Sequence, residues 1–160
     1  MKNKKRGFTL LELLVVVGLI AILSAVVIVS INNARSKGGD AGVKTNLHTV
    51  SNQAELFFLN NTNSYLPSGG STFSIATCPA YSAVGTNMLS RDSIMAQAIE
   101  KAVNNGGNGS SCYNSSTAWA VAVGLKSSTT SSWCIDNTGS SRVVASAPAS
   151  AINATTFSCN

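Results

Sequence analysis

The sequence predicts an α+β protein in which a long N-terminal α-helix, able to span a membrane, packs on a small C-terminal antiparallel β-sheet head. Three patterns support this. Residues 8–31 form an apolar run with a single charge, residues 43–57 carry apolar side chains at spacings of four and three, and residues 117–125 alternate between two faces. The first two patterns have the period of a helix and the third that of a strand.

The composition limits the classes of protein to which the chain can belong. Its 160 residues correspond to about one domain. Only 11% of them are charged, against ~25% in an ordinary soluble protein. Four of the eleven positive charges lie within residues 1–6, and the remainder of the chain has seven positive and six negative charges. The net charge of +5 therefore comes mostly from the first six residues. It argues against a basic surface for nucleic acid and also against a typical cytosolic enzyme.

The apolar run 8–31 is long enough to cross a bilayer. As a helix it covers ~36 Å, and the hydrocarbon core is ~30 Å thick. The positive charges of residues 1–6 outnumber Arg35 and Lys37 after the run, which predicts a cytoplasmic N-terminus. A secretory signal peptide has a shorter apolar core and a small-residue cleavage site. A plain membrane anchor does not explain why a charged residue, Glu12, lies about one turn into the apolar run, where a charge is costly.

A motif at the start of the run accounts for Glu12. Its residues are Lys5-Arg6-Gly7-Phe8-Thr9-Leu10-Leu11-Glu12-Leu13. This run resembles the processing site of type IV prepilins and pseudopilins. The resemblance implies that residues 1–7 are a leader peptide, that a prepilin peptidase cuts the bond between Gly7 and Phe8, and that Phe8 is then N-methylated. Glycine offers the peptidase no side chain as an obstacle.

The same resemblance implies a role for Glu12 in assembly and register. The cut creates a new amino group at Phe8, one helical turn before Glu12. In a stack of subunits the carboxylate of one chain can meet the amine of its neighbour in an apolar setting, where an unpaired charge is expensive. Residues 8–31 would then act first as a transmembrane helix and later as an assembly helix.

Residues 32–59 are predicted to continue as an amphipathic helix. Three glycines within residues 38–42 predict a hinge or a local break, after which Asp40 is a candidate cap for a restarted helix. The apolar side chains beyond it lie on one face: Val43, Leu47, Val50, Ala54 and Phe57. In the pilin family such a continuation packs against a C-terminal sheet.

Residues 60–160 are predicted to form the globular head. Residues 60–83 have the composition of a loop, which corresponds to the αβ loop of the family. A short helix is expected at 91–103, ended by the glycines of 104–107. A β-meander with strands at 117–125, 132–136 and 142–145 is expected to follow.

The four cysteines lie beyond the apolar run: Cys78, Cys112, Cys134 and Cys159. An even number outside the cytoplasm predicts two disulfides, for which three pairings are possible. The arrangement that we favour is Cys78–Cys112 with Cys134–Cys159, because its second bridge resembles the C-terminal disulfide loop of many pilins, which bounds the end of the head.

No catalytic, metal or cofactor site is predicted. The acidic residues beyond the apolar run show no paired spacing, and His48 is the only histidine. Neither a nucleophile–histidine arrangement nor the ligand spacing of a zinc site is present. The oxygen-rich run 136–139 has some likeness to a calcium-binding turn but is read as an ordinary β-turn.

The resemblance implies that the chain is a structural subunit of a type IV pilus, a surface filament for adhesion, twitching motility or DNA uptake. The implied partners are further copies in a helical homopolymer, the prepilin peptidase, and the assembly ATPase and platform proteins. The precursor would reside in the inner membrane and the product in an extracellular filament, and no direct nucleic-acid site is identified. Two alternatives remain: a pseudopilin of a type II secretion system and a membrane-anchored adhesin that does not polymerise.

Overall fold

The computed structural model describes residues 7–160, with the exception of the side chains at positions 28 and 29. The predicted leader, apart from Gly7, lies outside the described residues. The chain divides into two compact units between Arg35 and Ser36. The helices are α1 (Leu10–Asn60), α2 (Met88–Arg91), α3 (Ser93–Gly106) and α4 (Pro148–Ala151). The strands are β1 (Phe73–Ala76), β2 (Ser110–Asn114), β3 (Trp119–Gly124), β4 (Ser132–Asp136) and β5 (Ser141–Val144).

The five strands form one antiparallel sheet in the order β1-β2-β3-β4-β5. The three strands expected for the β-meander are confirmed as β3, β4 and β5. Two further strands were not expected. β1 lies inside the segment 60–83 that was predicted to be a loop, so that prediction was wrong for these four residues. β2 is rich in serine, and its strand conformation comes from its five paired positions with β3 and not from an apolar alternation.

The short helix is confirmed, although its bounds differ from the expected 91–103. Asp92 caps the N-terminus of α3, because its carboxylate accepts hydrogen bonds from the amides of Ile94 and Met95. Gly107 ends α3 with φ 78°, and its amide donates to the carbonyl of Val103. This is the left-handed glycine cap that the sequence predicts. The short helices α2 and α4 were not expected.

Each face of the sheet is covered by a separate core. On one face the apolar stripe of α1 and the buried side of α3 pack against β3, with Val43, Leu47 and Trp119 fully buried. On the other face the C-terminal residues pack against β2 and β3, with Ala120 and Ala122 fully buried. The sheet is therefore buried on both faces, which accounts for the uninterrupted burial of β3.

The break expected at residues 38–42 is not found, because α1 continues through all five residues. Two of the glycines serve close packing instead. A Cβ on Gly39 would lie 2.8 Å from the carbonyl oxygen of Asn105, and one on Gly42 would lie 2.6 Å from the side-chain nitrogen of the same residue. Asp40 caps no helix here. Its Oδ1 accepts hydrogen bonds from the amides of Lys126 and Ser127, at 2.7 and 3.2 Å, and so ties α1 to the loop after β3.

Candidate processing and assembly site

The bond between Gly7 and Phe8 lies in a non-helical segment directly before α1. A Cβ built on Gly7 would meet nothing within 4 Å, and Phe8 is 79% exposed. Among residues 7–160, nothing surrounds the position of this Cβ, and the peptide bond lies outside the helical hydrogen bonding of α1.

Thr9 and Glu12 form a reciprocal cap at the N-terminus of α1. The amide and the hydroxyl of Thr9 donate hydrogen bonds to Oε2 of Glu12, at 3.0 and 2.8 Å. The amide of Glu12 donates in return to the hydroxyl of Thr9, at 3.3 Å. This is a capping box, which satisfies two amides that a helix start leaves without partners. The negative charge in the first turn also complements the positive end of the helix dipole.

Apart from Glu12, the first part of α1 presents mainly apolar surface. Leu10 is 81% exposed, and the other large apolar side chains described up to Val27 are all exposed. The segment is long and apolar enough to cross a membrane by its length and composition. Burying one such side chain is worth about 1.5–3 kcal/mol, so this surface requires a cover of lipid or of other protein.

The structure contains the disulfides Cys78–Cys112 and Cys134–Cys159, which is the pairing favoured in the sequence analysis. The Cα atoms of the two pairs are 4.8 and 5.7 Å apart. The first bridge joins the chain after β1 to β2, and the second joins β4 to the C-terminal end of the chain. Each bridge therefore attaches a peripheral segment to the sheet.

The remaining candidates of the sequence analysis serve the fold. His48 is exposed on α1, and its Nδ1 lies 3.2 Å from Nδ2 of Asn52. In the run 136–139 the carboxylate of Asp136 accepts hydrogen bonds from the turn after β4 and from the amide of Cys159, which is a structural role. Within residues 7–160 no group of three or more histidine, cysteine or acidic side chains is placed to hold a metal ion.

Two residues of the site and the head were missed by sequence reasoning. Thr9 was read only as part of the processing motif, although threonine followed three residues later by glutamate is the sequence signature of a capping box. Asn114 is fully buried and donates and accepts hydrogen bonds with three backbone groups. Nothing in its sequence neighbourhood indicates that role.

Comparisons with known proteins agree with the N-terminal geometry. Residues 2–28 match the family described as the prokaryotic N-terminal methylation motif. The chain is 43% identical over 65 residues to the type IV wide pilus major component PilA4 of Thermus thermophilus, a match that covers 41% of this chain and 48% of PilA4. The chain thus spans about half the length of the curated relative that it matches. No solved structure matches it significantly. The chain therefore carries a prokaryotic N-terminal methylation motif, and part of it is similar to a type IV pilus component.

Proposed function

We propose that the chain is a structural subunit of a type IV pilus. In this proposal the bond between Gly7 and Phe8 is cut, so that the 160-residue chain loses seven residues and keeps 153. The new N-terminus at Phe8 is methylated, and the mature chain leaves the inner membrane to join a surface filament. The match to a pilus major component supports a filament role.

The observation that carries the proposal is the exposed apolar surface at the start of α1. A protein cannot keep so much apolar surface in water, and lipid covers it only before assembly. Copies of the same segment offer an equivalent apolar cover once lipid is left behind. Helix-to-helix packing between subunits therefore supplies both the driving force and a dry interior for the filament.

The cap formed by Thr9 and Glu12 supports a role for Glu12 at this interface. Both hydrogen bonds from Thr9 fall on Oε2. Oε1 of the same carboxylate can then accept from the amine of Phe8 in a neighbouring subunit. A charge-assisted contact of this kind favours one register between subunits, because a shifted register leaves both charges unpaired in an apolar interior.

The implied partners follow from this scheme. They are a prepilin peptidase that recognises the motif, an assembly ATPase with its platform proteins, and further copies of the chain. The role is structural, as the family suggests, and it requires no cofactor. Adhesion, twitching motility and DNA uptake are the activities that such a filament would serve.

The test is mass analysis of the mature N-terminus combined with shearing of cells. We expect a chain that begins at methylated Phe8 and is recovered in long extracellular filaments. A pseudopilin of a type II secretion system would show the same N-terminus without long filaments at its native level. A chain that keeps residues 1–7 and never polymerises would be a membrane-anchored adhesin and would contradict the proposal.

A further inference from the structure

The C-terminal strap, residues 147–160, packs on one face of the sheet. Its buried residues Ala151, Ile152 and Cys159 pack with side chains of the strands. Phe157 has φ 55°, an unusual conformation for a bulky residue, and its ring stacks on Tyr113 with 4.1 Å between centroids. Without the strap the apolar side chains beneath it would be open to water.

The carboxylate of Asp136 connects the strap to the end of β4. Asp136 is 2% exposed. Its Oδ1 accepts hydrogen bonds from the amide and hydroxyl of Thr138, at 2.8 and 2.6 Å, and from the amide of Ser140 at 3.3 Å. Its Oδ2 accepts from the amide of Cys159 at 2.8 Å. One oxygen therefore shapes the turn between β4 and β5, and the other holds the strap.

Arg142 binds the carbonyl of Cys159, the residue whose amide is bound by Asp136. Its Nη2 donates a hydrogen bond to the carbonyl of Cys159. Arg142 is paired with Cys134 across β4 and β5, and paired residues of neighbouring strands project from the same face of a sheet. Side chains of two strands thus fix both the amide and the carbonyl of Cys159 beside its disulfide partner.

We propose that Asp136 and Arg142 form a cradle that docks the backbone of Cys159 before the disulfide closes, and that this docking selects Cys134 as its partner. Loop length does not make the selection, because the entropy cost of closing a loop changes only slowly with the number of residues. The two observed bridges span 34 and 25 residues. The inference does not depend on whether the chain polymerises.

The chemistry needs an external disulfide, and oxidised glutathione is sufficient. The thiolate of one cysteine attacks the glutathione disulfide, forms a mixed disulfide and releases one glutathione thiolate. The thiolate of the second cysteine then attacks the protein sulfur and releases the second glutathione. Two protein thiols are oxidised, one glutathione disulfide is reduced to two thiols, and the cradle acts on the second step by raising the local concentration of the attacking group.

Asp136→Asn tests the cradle with almost no change of shape. An amide has one oxygen. Because the turn supplies three donors, from Thr138 and Ser140, and the strap only the amide of Cys159, we expect this oxygen to stay in the turn and the NH₂ group to face the amide of Cys159. Asp92→Asn is the matched control. Asp92 likewise uses both oxygens, one for the amides of Ile94 and Met95 and the other for the side chain of Gln53, but it lies at the start of α3.

The assay uses the full chain in detergent, reduced and then reoxidised in a glutathione buffer, with peptide mass mapping under non-reducing conditions. For Asp136→Asn we expect the bridge Cys134–Cys159 to close on the order of tenfold more slowly, as suits the loss of a hydrogen bond to a charged group. The mixed disulfide with glutathione should accumulate, while Cys78–Cys112 forms normally. Asp92→Asn should leave the closure of Cys134–Cys159 unchanged. Normal closure in Asp136→Asn, or an equal loss of both bridges, would contradict the proposal.

A second measurement examines docking without any disulfide at the strap. In the double variant Cys134→Ser and Cys159→Ser, the backbone amide at position 159 should remain protected from hydrogen exchange, because Asp136 still accepts its hydrogen bond. Adding Asp136→Asn should remove that protection. If this amide exchanges at the rate of an unfolded chain in the double variant, the disulfide Cys134–Cys159 holds the strap and the cradle does not.

Discussion

Thr9 donates two hydrogen bonds to one oxygen of Glu12, from its amide at 3.0 Å and from its hydroxyl at 2.8 Å. Glu12, which our proposal places at contacts between subunits, is therefore also oriented within its own chain. The start of the helix and the proposed assembly contact depend on the same carboxylate, which can be examined by changing each of its partners in turn.

Replacing Glu12 by valine should separate processing from assembly. We expect Glu12→Val to insert into the membrane and to be cleaved, because the variant only makes residues 8–31 more apolar. Assembly should fail or lose its register, because no carboxylate remains to meet the amine of Phe8. Mass analysis of the membrane fraction and electron microscopy of the sheared fraction measure the two steps. Normal filaments from this variant would refute the pairing of Glu12 with a neighbour.

Replacing Thr9 by valine should weaken the orientation of Glu12 while the charge is kept. The hydroxyl is lost at nearly constant shape, and losing a side-chain cap costs a helix about 1 kcal/mol. We expect Thr9→Val to lower the filament yield less than Glu12→Val does, with cleavage at Gly7 unchanged. Thr9→Ser keeps the hydroxyl and should restore the yield. An equal yield from the valine and serine variants would mean that the hydroxyl has no part in assembly.

The glycines of α1 should respond oppositely to alanine according to their surroundings. Gly38 has nothing within 4 Å of a built Cβ, whereas Gly39 would bring its Cβ to 2.8 Å from both Asn105 and Lys126. We expect Gly38→Ala to stabilise the head by up to about 1 kcal/mol through helix propensity. Gly39→Ala should destabilise it by about 1–3 kcal/mol through overpacking. Urea unfolding in detergent measures the free energy of unfolding of the two variants. If both variants are stabilised, Gly39 is not required for packing against Asn105, and the glycines serve only to weaken the helix.

Removing the side chain of Asn114 should be among the most costly changes in the head. Its Oδ1 accepts from the amide of Met88, and its Nδ2 donates to the carbonyls of Tyr65 and Ser115. Because each buried group left without a partner costs about 1–3 kcal/mol, we expect Asn114→Ala to lower the free energy of unfolding by about 3 kcal/mol. Asn52→Ala, at an exposed position of α1, is the control and should change it by less than about 0.5 kcal/mol. Similar losses in both variants would refute the assigned role.

Alkaline conditions should destabilise the head through Tyr65. Burial raises the pKa of this phenol, and the carboxylate of Glu55, which accepts its hydrogen bond at 3.0 Å, raises the pKa further. The folded state therefore holds the proton more tightly than the unfolded state, in which tyrosine titrates near pH ~10. The stabilising contribution is complete below that pH and is lost as the pH rises through the pKa of the folded state.

The measurement is the free energy of unfolding of the wild type and of Tyr65→Phe between about pH 8 and about pH 11. The wild type should lose stability more steeply than Tyr65→Phe over the upper part of this range. Tyr81→Phe, at an exposed position, controls for the loss of a hydroxyl and should follow the wild type. If the free energy of unfolding falls equally with pH in the wild type and in Tyr65→Phe, this phenol does not cause the loss of stability at alkaline pH.

Local patterns in the sequence were sufficient for much of this protein. The apolar run after Phe8 predicts the apolar helix, the spacing from Val43 to Phe57 predicts the buried face of α1, and alternation predicts β3. The processing motif is equally local, as is the glycine cap at Gly107. Each of these features depends on residues within a few turns of helix or a few positions of a strand, and so the order of the side chains carries it.

Contacts between distant residues were decided only by the tertiary structure. The glycines that a local interpretation turns into a hinge are required because Asn105 packs against Gly39 and Gly42. β2 is a strand because its backbone pairs with β3, and not because its side chains alternate. The cysteine pairing likewise requires Cys134 and Cys159 to meet across 25 residues of chain. The hydrogen bonds and packing that select such contacts exist only once the sheet and both of its coverings have formed.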